Sequence, residues 1–212
     1  NTWRTIAQGP IGIVDLTRPP SAAWVNDRLL ISGGGSMYGD RHDLAALYDP
    51  VTDSWAVADS SPSPGYTHVL TAHVGRASEQ VVLWNGDRFG GVSDINYPTN
   101  GGAIWNGLTS SWSTIPAIPG EGMYDGHQAG AIWSSATSFG VWGGDRYANG
   151  FSSDDRGAIF DLASQTWSAL PPAPVAARGN VAGVWTGTEV IVWGGNDWSE
   201  LEPFADGAIY RP

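Results

Sequence analysis

The chain has 212 residues, 42% of them hydrophobic, which is enough apolar material for one sizeable core. Its formal net charge of −11 disfavours nucleic acid and anionic membranes as partners, because both carry negative charge. Cysteine is absent, which excludes disulfides, a thiol nucleophile and thiolate metal ligands. The 29 Gly, 14 Pro and 12 Trp favour short strands joined by turns over helices.

The sequence shows neither a run of about 18 apolar residues, as a membrane span needs, nor a recognisable signal peptide. It begins at Asn1 rather than at Met, so we expect that an N-terminal segment has been removed. We expect a secreted, cell-surface or periplasmic location.

Two consecutive apolar runs, the second ending in Gly-Gly or Asn-Gly, occur four times along the chain. The first runs are PSAAW (20–24), LTAHV (70–74), AGAIW (129–133) and VAGVW (181–185). The second runs are LLISGGG (29–35), VVLWNGDRFGG (81–91), FGVWGGDRYANG (139–150) and VIVWGGNDW (190–198). Short polar links join the two runs, which predicts a β-hairpin in each unit.

A third apolar run follows in every unit: LAALYDP (44–50), GGAIWNG (101–107), RGAIFDL (156–162) and DGAIYRP (206–212). In the first three units a Trp comes seven residues after the aromatic residue of that run, giving the pairs Tyr48/Trp55, Trp105/Trp112 and Phe160/Trp167. The fourth unit lacks this Trp, but the chain begins NTW, which places Trp3 close to the missing position. We therefore expect the N-terminus to supply the fourth strand of the fourth unit.

This combination of Gly-Gly, aromatic residue and Trp resembles the kelch repeat of β-propellers over essentially the whole chain. The resemblance implies an all-β propeller with kelch-like four-stranded blades, and the four repeats predict a single-domain, four-bladed β-propeller over residues 1–212. The ring would be closed by the N-terminal strand joining the C-terminal blade. The repeat units are about 4–55, 56–112, 113–167 and 168–212 plus 1–3. Kelch propellers more usually have five to seven blades, so a fragment of a longer propeller and an eight-bladed ring of two chains remain alternatives.

The glycine pairs are interpreted as architectural, because they recur with the repeat. Glycine at the end of the second strand permits a positive φ and a close approach of the backbone, where a Cβ would clash. The recurring aromatic residues are expected to fill the space between blades.

In kelch proteins the face that carries the loops after the second strands commonly binds the ligand, and the resemblance implies the same here. The loop residues on that face include the pairs Asp87/Arg88 and Asp145/Arg146 with Tyr147, then Asn196, Asp197 and Trp198, and in the first unit Met37 to His42. A second set precedes the first strands: Arg18, His68, His127 and Arg178, with Tyr66, Tyr124 and Asp125 nearby.

Two plainer interpretations stay open. The Asp-Arg pairs can be turn formers with exposed ion pairs, which contribute little. The four basic residues can hold carbonyl groups or water between blades.

The predicted function is a lectin-like binding module for a carbohydrate, another small polar or anionic ligand, or a protein partner. Arg suits anions, and aromatic faces suit sugars. The alternative is a kelch-like enzyme of the sugar isomerase or cyclase type, with His127, Asp125 or Arg18 as acid–base candidates. We expect no cofactor and no metal, and SSDDRG (152–157) is interpreted as a surface loop rather than a Ca²⁺ site. Copper-radical oxidases of the kelch group need a cysteine, so that activity is excluded.

Overall fold

The computed structural model describes residues 2–10, 20–33, 45–59, 62, 70–74, 80–84, 87–89, 96–98, 100–120, 130–147, 151–197, 199 and 202–212. Within these ranges there is no helix, and hence none with the length and apolar character of a membrane span. The predicted all-β class is therefore confirmed for the described part of the chain.

The described part of the chain contains nineteen short strands. They are β1 (Ser21–Val25), β2 (Arg28–Ser32), β3 (Ala45–Asp49), β4 (Ser54–Ala58), β5 (Leu70–Val74), β6 (Gln80–Trp84), β7 (Asp87–Phe89), β8 (Asn96–Pro98), β9 (Gly102–Asn106), β10 (Ser111–Ile115), β11 (Ala131–Ser134), β12 (Ser138–Trp142), β13 (Asp145–Tyr147), β14 (Phe151–Ser153), β15 (Gly157–Asp161), β16 (Thr166–Ala169), β17 (Ala182–Trp185), β18 (Val190–Trp193) and β19 (Gly207–Tyr210).

These strands form four main antiparallel sheets, one for each sequence repeat. Sheet 1 is β1-β2-β3-β4, sheet 2 is β5-β6-β9-β10, sheet 3 is β11-β12-β15-β16, and sheet 4 is β17-β18-β19. The short hairpins β7–β8 and β13–β14 are inserted between the second and third strands of sheets 2 and 3. The repeat unit seen in the sequence therefore corresponds to one sheet.

The seven-residue spacing between the aromatic residue and the Trp arises from the hairpin that joins the last two strands. In sheet 1, Tyr48 lies directly opposite Trp55, with ring centroids 5.0 Å apart. The turn between them is closed by Asp49 Oδ1, which accepts the backbone N–H of Val51 at 2.8 Å, and by Asp53, which has a φ of +50°. An Asp side chain that bonds the backbone two residues on is typical of such turns. Sheets 2 and 3 repeat the same pairing and the same turn.

Each of these Trp residues also links its sheet to the segment before it. The indole Nε1 of Trp112 donates to the carbonyl of Asp59 at 2.7 Å, and that of Trp167 donates to the carbonyl of Pro116 at 2.8 Å. Both acceptors lie four residues after the Trp of the preceding unit. The same bond therefore fastens sheet 2 to sheet 1 and sheet 3 to sheet 2.

The core lies between neighbouring sheets, because each sheet is apolar on both faces. Along β6, Val81 and Leu83 pack toward sheet 1, whereas Val82 and Trp84 pack toward sheet 3. A third apolar cluster joins sheets 3 and 4 through side chains that include Trp133. Stacking of two-faced sheets is the physical reason for the repeat, since no single sheet can bury both of its faces.

The N-terminal segment does not take the expected position in sheet 4. In the described part of the chain, residues 2–10 form no strand, and β19 pairs with β18 alone. The segment lies against sheet 1 instead, where the carbonyl of Ala7 accepts the indole N–H of Trp55 at 2.9 Å and Asp53 accepts the N–H of Ala7 at 3.1 Å. Trp3 is fully exposed, at 102%. Local bonds to Trp55 and Asp53 hold the segment at this end, away from β19.

Candidate functional site

The links that follow the glycine pairs lie at one end of the sheets. Hairpin β13–β14 follows the glycines of sheet 3, β7–β8 occupies the same place in sheet 2, and β13 contacts β8. In sheet 4, Asn196 forms an isolated bridge with Pro203. The connection that enters sheet 4 reaches the same end, because Gly179 and Asn196 exchange backbone hydrogen bonds of 2.9 and 3.0 Å. We call this end, formed by β7–β8, β13–β14 and residues 176–181, 194–197 and 202–206, the loop face.

Two glycines show why this end requires residues without a side chain. Gly143 has a φ of +68°, and a Cβ added there would lie 2.8 Å from the carbonyl oxygen of Arg178. Gly195 has a φ of +88°, and a Cβ would lie 2.5 Å from the carbonyl oxygen of Gly179. At both positions the positive φ strains any residue with a Cβ, and the Cβ would also clash with the neighbouring carbonyl oxygen. These contacts support the architectural interpretation of the glycine pairs.

Arg178 lies inside the protein rather than at the surface. Only 1% of it is exposed, and its guanidinium donates to the carbonyls of Ala176 at 2.9 Å and Gly194 at 3.1 Å. It also bonds Asp206 at 2.6 Å and stacks 4.1 Å from the ring centroid of Phe204. The side chain thus holds the second- and third-strand ends of sheet 4 together. This geometry matches the plainer interpretation, in which the basic residues bind carbonyl groups of the fold.

Asp145 is a second charged residue buried at the loop face, with 5% of it exposed. Its carboxylate packs on the backbone of Gly179, where an added Cβ would lie 2.4 Å from Oδ1. The pKa of Asp145 is raised to about 6, mainly by burial and to a smaller extent by the charge of Asp197, against a 3.4 Å hydrogen bond from Ser153 that lowers it. Asp145 therefore changes charge in the mildly acidic range.

Replacing Asp145 by asparagine is expected to raise the melting temperature near neutral pH. The folded pKa lies above the unfolded value of 3.8, so the stabilisation from this carboxyl is complete below about pH 4 and is lost as pH rises through about 6. A shift of about two pKa units corresponds to at most about 3 kcal/mol, or several degrees. Asparagine keeps the acceptor for Ser153. The gain should be present at about pH 7.5 and shrink at about pH 4 in thermal unfolding scans.

Asp161→Asn is the matched control for this prediction. Hydrogen bonds from Ser164 lower the pKa of Asp161, so its charged form is the stabilising one. Removing that charge should bring no gain at neutral pH. An Asp145 variant that gains nothing at neutral pH, or gains equally at both pH values, would contradict the explanation.

Several polar side chains that are less buried than Asp145 also lie at the loop face. Asn180 donates to the side-chain oxygen of Asn196 at 2.9 Å, and Asn196 donates to the carbonyl of Asp197 at 3.1 Å. Asp197 Oδ1 in turn accepts the backbone N–H of Ser199 at 2.7 Å. Arg146 follows Asp145 on β13, and its Nε lies 3.4 Å from Ser152 Oγ. We call Arg146, Asn180, Asn196 and Asp197 the polar surface cluster.

The acidic segment 152–157 is partly buried and internally bonded, unlike a plain surface loop. Asp154 is buried and forms a two-pronged ion pair with Arg156, with both carboxylate oxygens 3.0 Å from Arg156 Nε. The backbone carbonyl of Asp154 accepts the N–H of Arg178 at 3.1 Å. This part of the segment therefore connects sheet 3 to the entry of sheet 4, and the surface-loop interpretation is wrong for Asp154.

The structure brings together only some of the residues predicted from the sequence. Asp145, Arg146, Asp197 and the buried Arg178 meet at the loop face, and Tyr147 lies on the same strand as Asp145. Asp87 and Arg88 lie on β7, whose side chains are not described. Further residues predicted from the sequence lie outside the described residues: Arg18, Met37 to His42, Tyr66, His68, Tyr124, Asp125, His127 and Trp198. Asn180 was not predicted, although the Gly-Asn pair after Arg178 was a signal available in the sequence.

Comparison with known proteins finds one curated relative and a solved structure with a similar fold. No protein-family model matches the chain. The chain is 27% identical over 218 residues to the "Kelch-like protein terF" of Aspergillus terreus, covering 92% of this chain and 41% of that protein. It also resembles the solved structure of YjhT, with a TM-score of 0.65 and 15% identity, covering 89% of this chain and 64% of that one. The chain thus spans less than half of the curated relative.

Proposed function

We propose that this chain, a member of the kelch-repeat β-propeller family, is a binding module that recognises carbohydrate on its loop face. The observation that carries the proposal is the polar surface cluster, whose amide, carboxylate and guanidinium groups lie on the same loop face, Arg146 on hairpin β13–β14 and the other three in sheet 4 and its entry segment. The reciprocal bonds between Gly179 and Asn196 fix the positions of Asn180, Asn196 and Asp197 relative to one another.

The chemistry of this cluster suits hydroxyl groups better than a bare anion. A sugar hydroxyl both donates and accepts, so the several hydroxyl groups of one glycan can bond an Asn amide, the Asp197 carboxylate and the Arg146 guanidinium. An anion would meet Asp197, and beneath it Asp145, on a chain of net charge −11. Arg178, the cation predicted for an anionic ligand, is already bonded to carbonyl groups and Asp206. A neutral polyhydroxylated ligand therefore fits better than a small acid.

Acid–base catalysis on a sugar is the second candidate, and one observation favours it. The pKa of Asp145 is raised to about 6, near the range that a general acid or base needs. However, the carboxylate lies against Gly179 beneath the surface, where substrate would have to displace backbone to reach it. Binding is therefore the better-supported function.

A glycan array followed by titration calorimetry tests the proposal. We expect at least one glycan to bind, and Arg146→Ala and Asn180→Gly each to weaken that binding about 10- to 100-fold, the effect of losing about 1.5–3 kcal/mol of polar contact. Glycine is chosen at position 180 because Asn180 has a φ of +52°. Both variants should keep the wild-type melting temperature within a few degrees, since neither side chain is buried.

Arg28→Ala is the control, because Arg28 lies at the opposite end of sheet 1 and pairs only loosely with Asp49 at 3.7 Å. It removes the same charge as Arg146→Ala and should leave glycan binding unchanged. Equal loss in both variants would indicate a general charge effect. Turnover of a bound sugar that Asp145→Asn abolishes would favour the enzyme instead.

A further inference from the structure

A cavity of about 340 Å³ lies beside β16, the edge strand of sheet 3, and includes no residue of the polar surface cluster. Its walls come from the segment that leaves sheet 2, the start of β15 and the end of β16, and they include the apolar side chains of Ile118, Trp167 and Leu170. Small-molecule sites in proteins are concave, mostly apolar and of about 300–1,000 Å³. We call this space the sheet 3 cavity, and it is large enough for a small organic molecule.

The walls of the sheet 3 cavity are held in place by contacts within the protein. The indole N–H of Trp167 donates to the carbonyl of Pro116 at 2.8 Å, which fixes the aromatic wall. The opposite wall is fixed at Ile118, whose backbone N–H donates to Asn100 Oδ1 at 2.9 Å and whose carbonyl accepts from Asn100 Nδ2 at 3.3 Å. Because both walls are already ordered, a ligand does not bear the entropic cost of ordering them.

A small residue on β16 leaves room in the sheet 3 cavity. Ala169 lies two residues after Trp167 and borders the cavity. The residues two positions after the corresponding Trp are larger in the other sheets, Val57 in sheet 1 and Thr114 in sheet 2. The repeat therefore accommodates a larger side chain at this position, and the alanine of sheet 3 is not required by the fold.

The charged groups of the sheet 3 cavity favour a cation. Asp155 lines the cavity and is exposed, so a ligand can reach its carboxylate. Arg156 also lines the cavity, but its guanidinium forms the two-pronged ion pair with Asp154. The two charges of that pair compensate each other, and the carboxylate of Asp155 therefore sets the sign of the local charge. On a chain of net charge −11, this site attracts cations and repels anions.

We propose that the sheet 3 cavity binds a small amphipathic organic cation, an amine that carries an aromatic or branched alkyl group. The apolar group enters the cavity beside Trp167 and Leu170. The ammonium group stays at the solvent-exposed side and donates to the carboxylate of Asp155. Apolar walls with a single reachable carboxylate match these two parts of the ligand. The site is separate from the glycan site proposed for the loop face and does not depend on it.

NMR titration with two probes of nearly the same shape tests the proposal. Phenethylammonium carries the positive charge, and phenethyl alcohol lacks it. The indole N–H signal of Trp167 in the isotope-labelled chain reports on the cavity, because Trp167 forms part of its wall. We expect phenethylammonium to give a saturable shift with a Kd on the order of 1 mM, as befits a ligand of so few atoms. The alcohol should bind about 3- to 10-fold more weakly, because it forms no ion pair.

Asp155→Asn and Asp161→Asn separate the proposed ion pair from a general charge effect. Sheet 2 carries asparagine at both equivalent positions, Asn100 and Asn106, so both variants should fold. Asp155→Asn should weaken phenethylammonium binding about 3- to 10-fold and leave the alcohol unaffected. Asp161→Asn removes the same charge in the turn at the opposite end of sheet 3 and should change neither affinity. Equal effects of the two variants on phenethylammonium would overturn the proposal.

Ala169→Val tests the location of the ligand without changing any charge. It gives β16 the residue that sheet 1 carries at this position, and it should weaken both probes about tenfold or more, because the added methyl groups occupy the cavity. Ala163→Val, in the exposed turn between β15 and β16, is the control and should change nothing.

Three outcomes of these titrations would overturn the proposal. The first is the absence of a saturable shift at Trp167 up to about 10 mM phenethylammonium. The second is equal affinity of the wild-type chain for phenethylammonium and phenethyl alcohol. The third is binding to Ala169→Val that matches binding to Ala163→Val, since the ligand would then lie outside the cavity.

Discussion

Replacing Arg178 by alanine is expected to lower the free energy of unfolding by about 3–5 kcal/mol. The guanidinium is 1% exposed and bonds the carbonyls of Ala176 and Gly194 and the carboxylate of Asp206. The substitution removes these charged hydrogen bonds, the stacking on Phe204 and the packing of the side chain. For a chain of this length the melting temperature should fall by roughly 6–15 °C, measured by calorimetry.

Arg146→Ala is the matched control for this result. Arg146 lies on the same face, but it is only half-buried, and its described bond, to Ser152, is long at 3.4 Å. Its removal should change stability by less than about 1 kcal/mol. If Arg178→Ala leaves the melting temperature near that of Arg146→Ala, then Arg178 does not hold sheet 4 together and is free for a ligand.

Gly195→Ala is expected to cost about 3 kcal/mol or more, whereas Gly120→Ala should cost about 1–2 kcal/mol. The two glycines have nearly the same backbone angle, with φ of +88° and +82°. Alanine in the left-handed region is strained at both positions. At Gly195 the new methyl would also lie 2.5 Å from the carbonyl oxygen of Gly179, while nothing lies within 4 Å at Gly120. The difference in unfolding free energy between the two variants, measured by calorimetry, therefore gives the cost of the steric clash apart from the cost of backbone strain.

Equal losses in the two variants would contradict the conclusion that the glycine pair serves a close approach of two backbone segments. A larger loss at Gly195 would show that sheet 4 and its entry segment are held together by the bridge at Gly179. That bridge also holds the polar surface cluster in register, so glycan binding by Gly195→Ala should weaken together with stability.

The parts of the fold that local chemistry determines could be predicted from the sequence. The spacing of Tyr48 and Trp55 has one structural solution, because an Asp-capped turn with one left-handed residue brings them opposite each other. The glycine pairs could also be interpreted correctly, since their need for a positive φ is a property of a few neighbouring residues. Because the aromatic–Trp spacing and the glycine pairs both recur along the chain, each is stronger evidence than a single occurrence would be.

Features that depend on contacts between distant segments could not be predicted in the same way. The sequence placed Arg178 in a set of basic residues with two interpretations, and only the folding of Gly194 and Phe204 around it decides between them. Counting repeats identified Trp3 as a fourth-strand residue. The count contains no information on the hydrogen bonds to Trp55 and Asp53, which place the N-terminal segment against sheet 1 instead of sheet 4.

Hydrogen–deuterium exchange with the glycan that binds most tightly tests the central claim most directly, because it locates the ligand without mutation. The loop-face account predicts slower exchange in residues 143–147, 176–181 and 194–197 when the glycan is bound. Exchange in the turns at the opposite end, residues 49–54, 106–111 and 161–166, should not change. Protection of those opposite turns, with none at the loop face, would contradict the claim that the glycine pairs build a binding face.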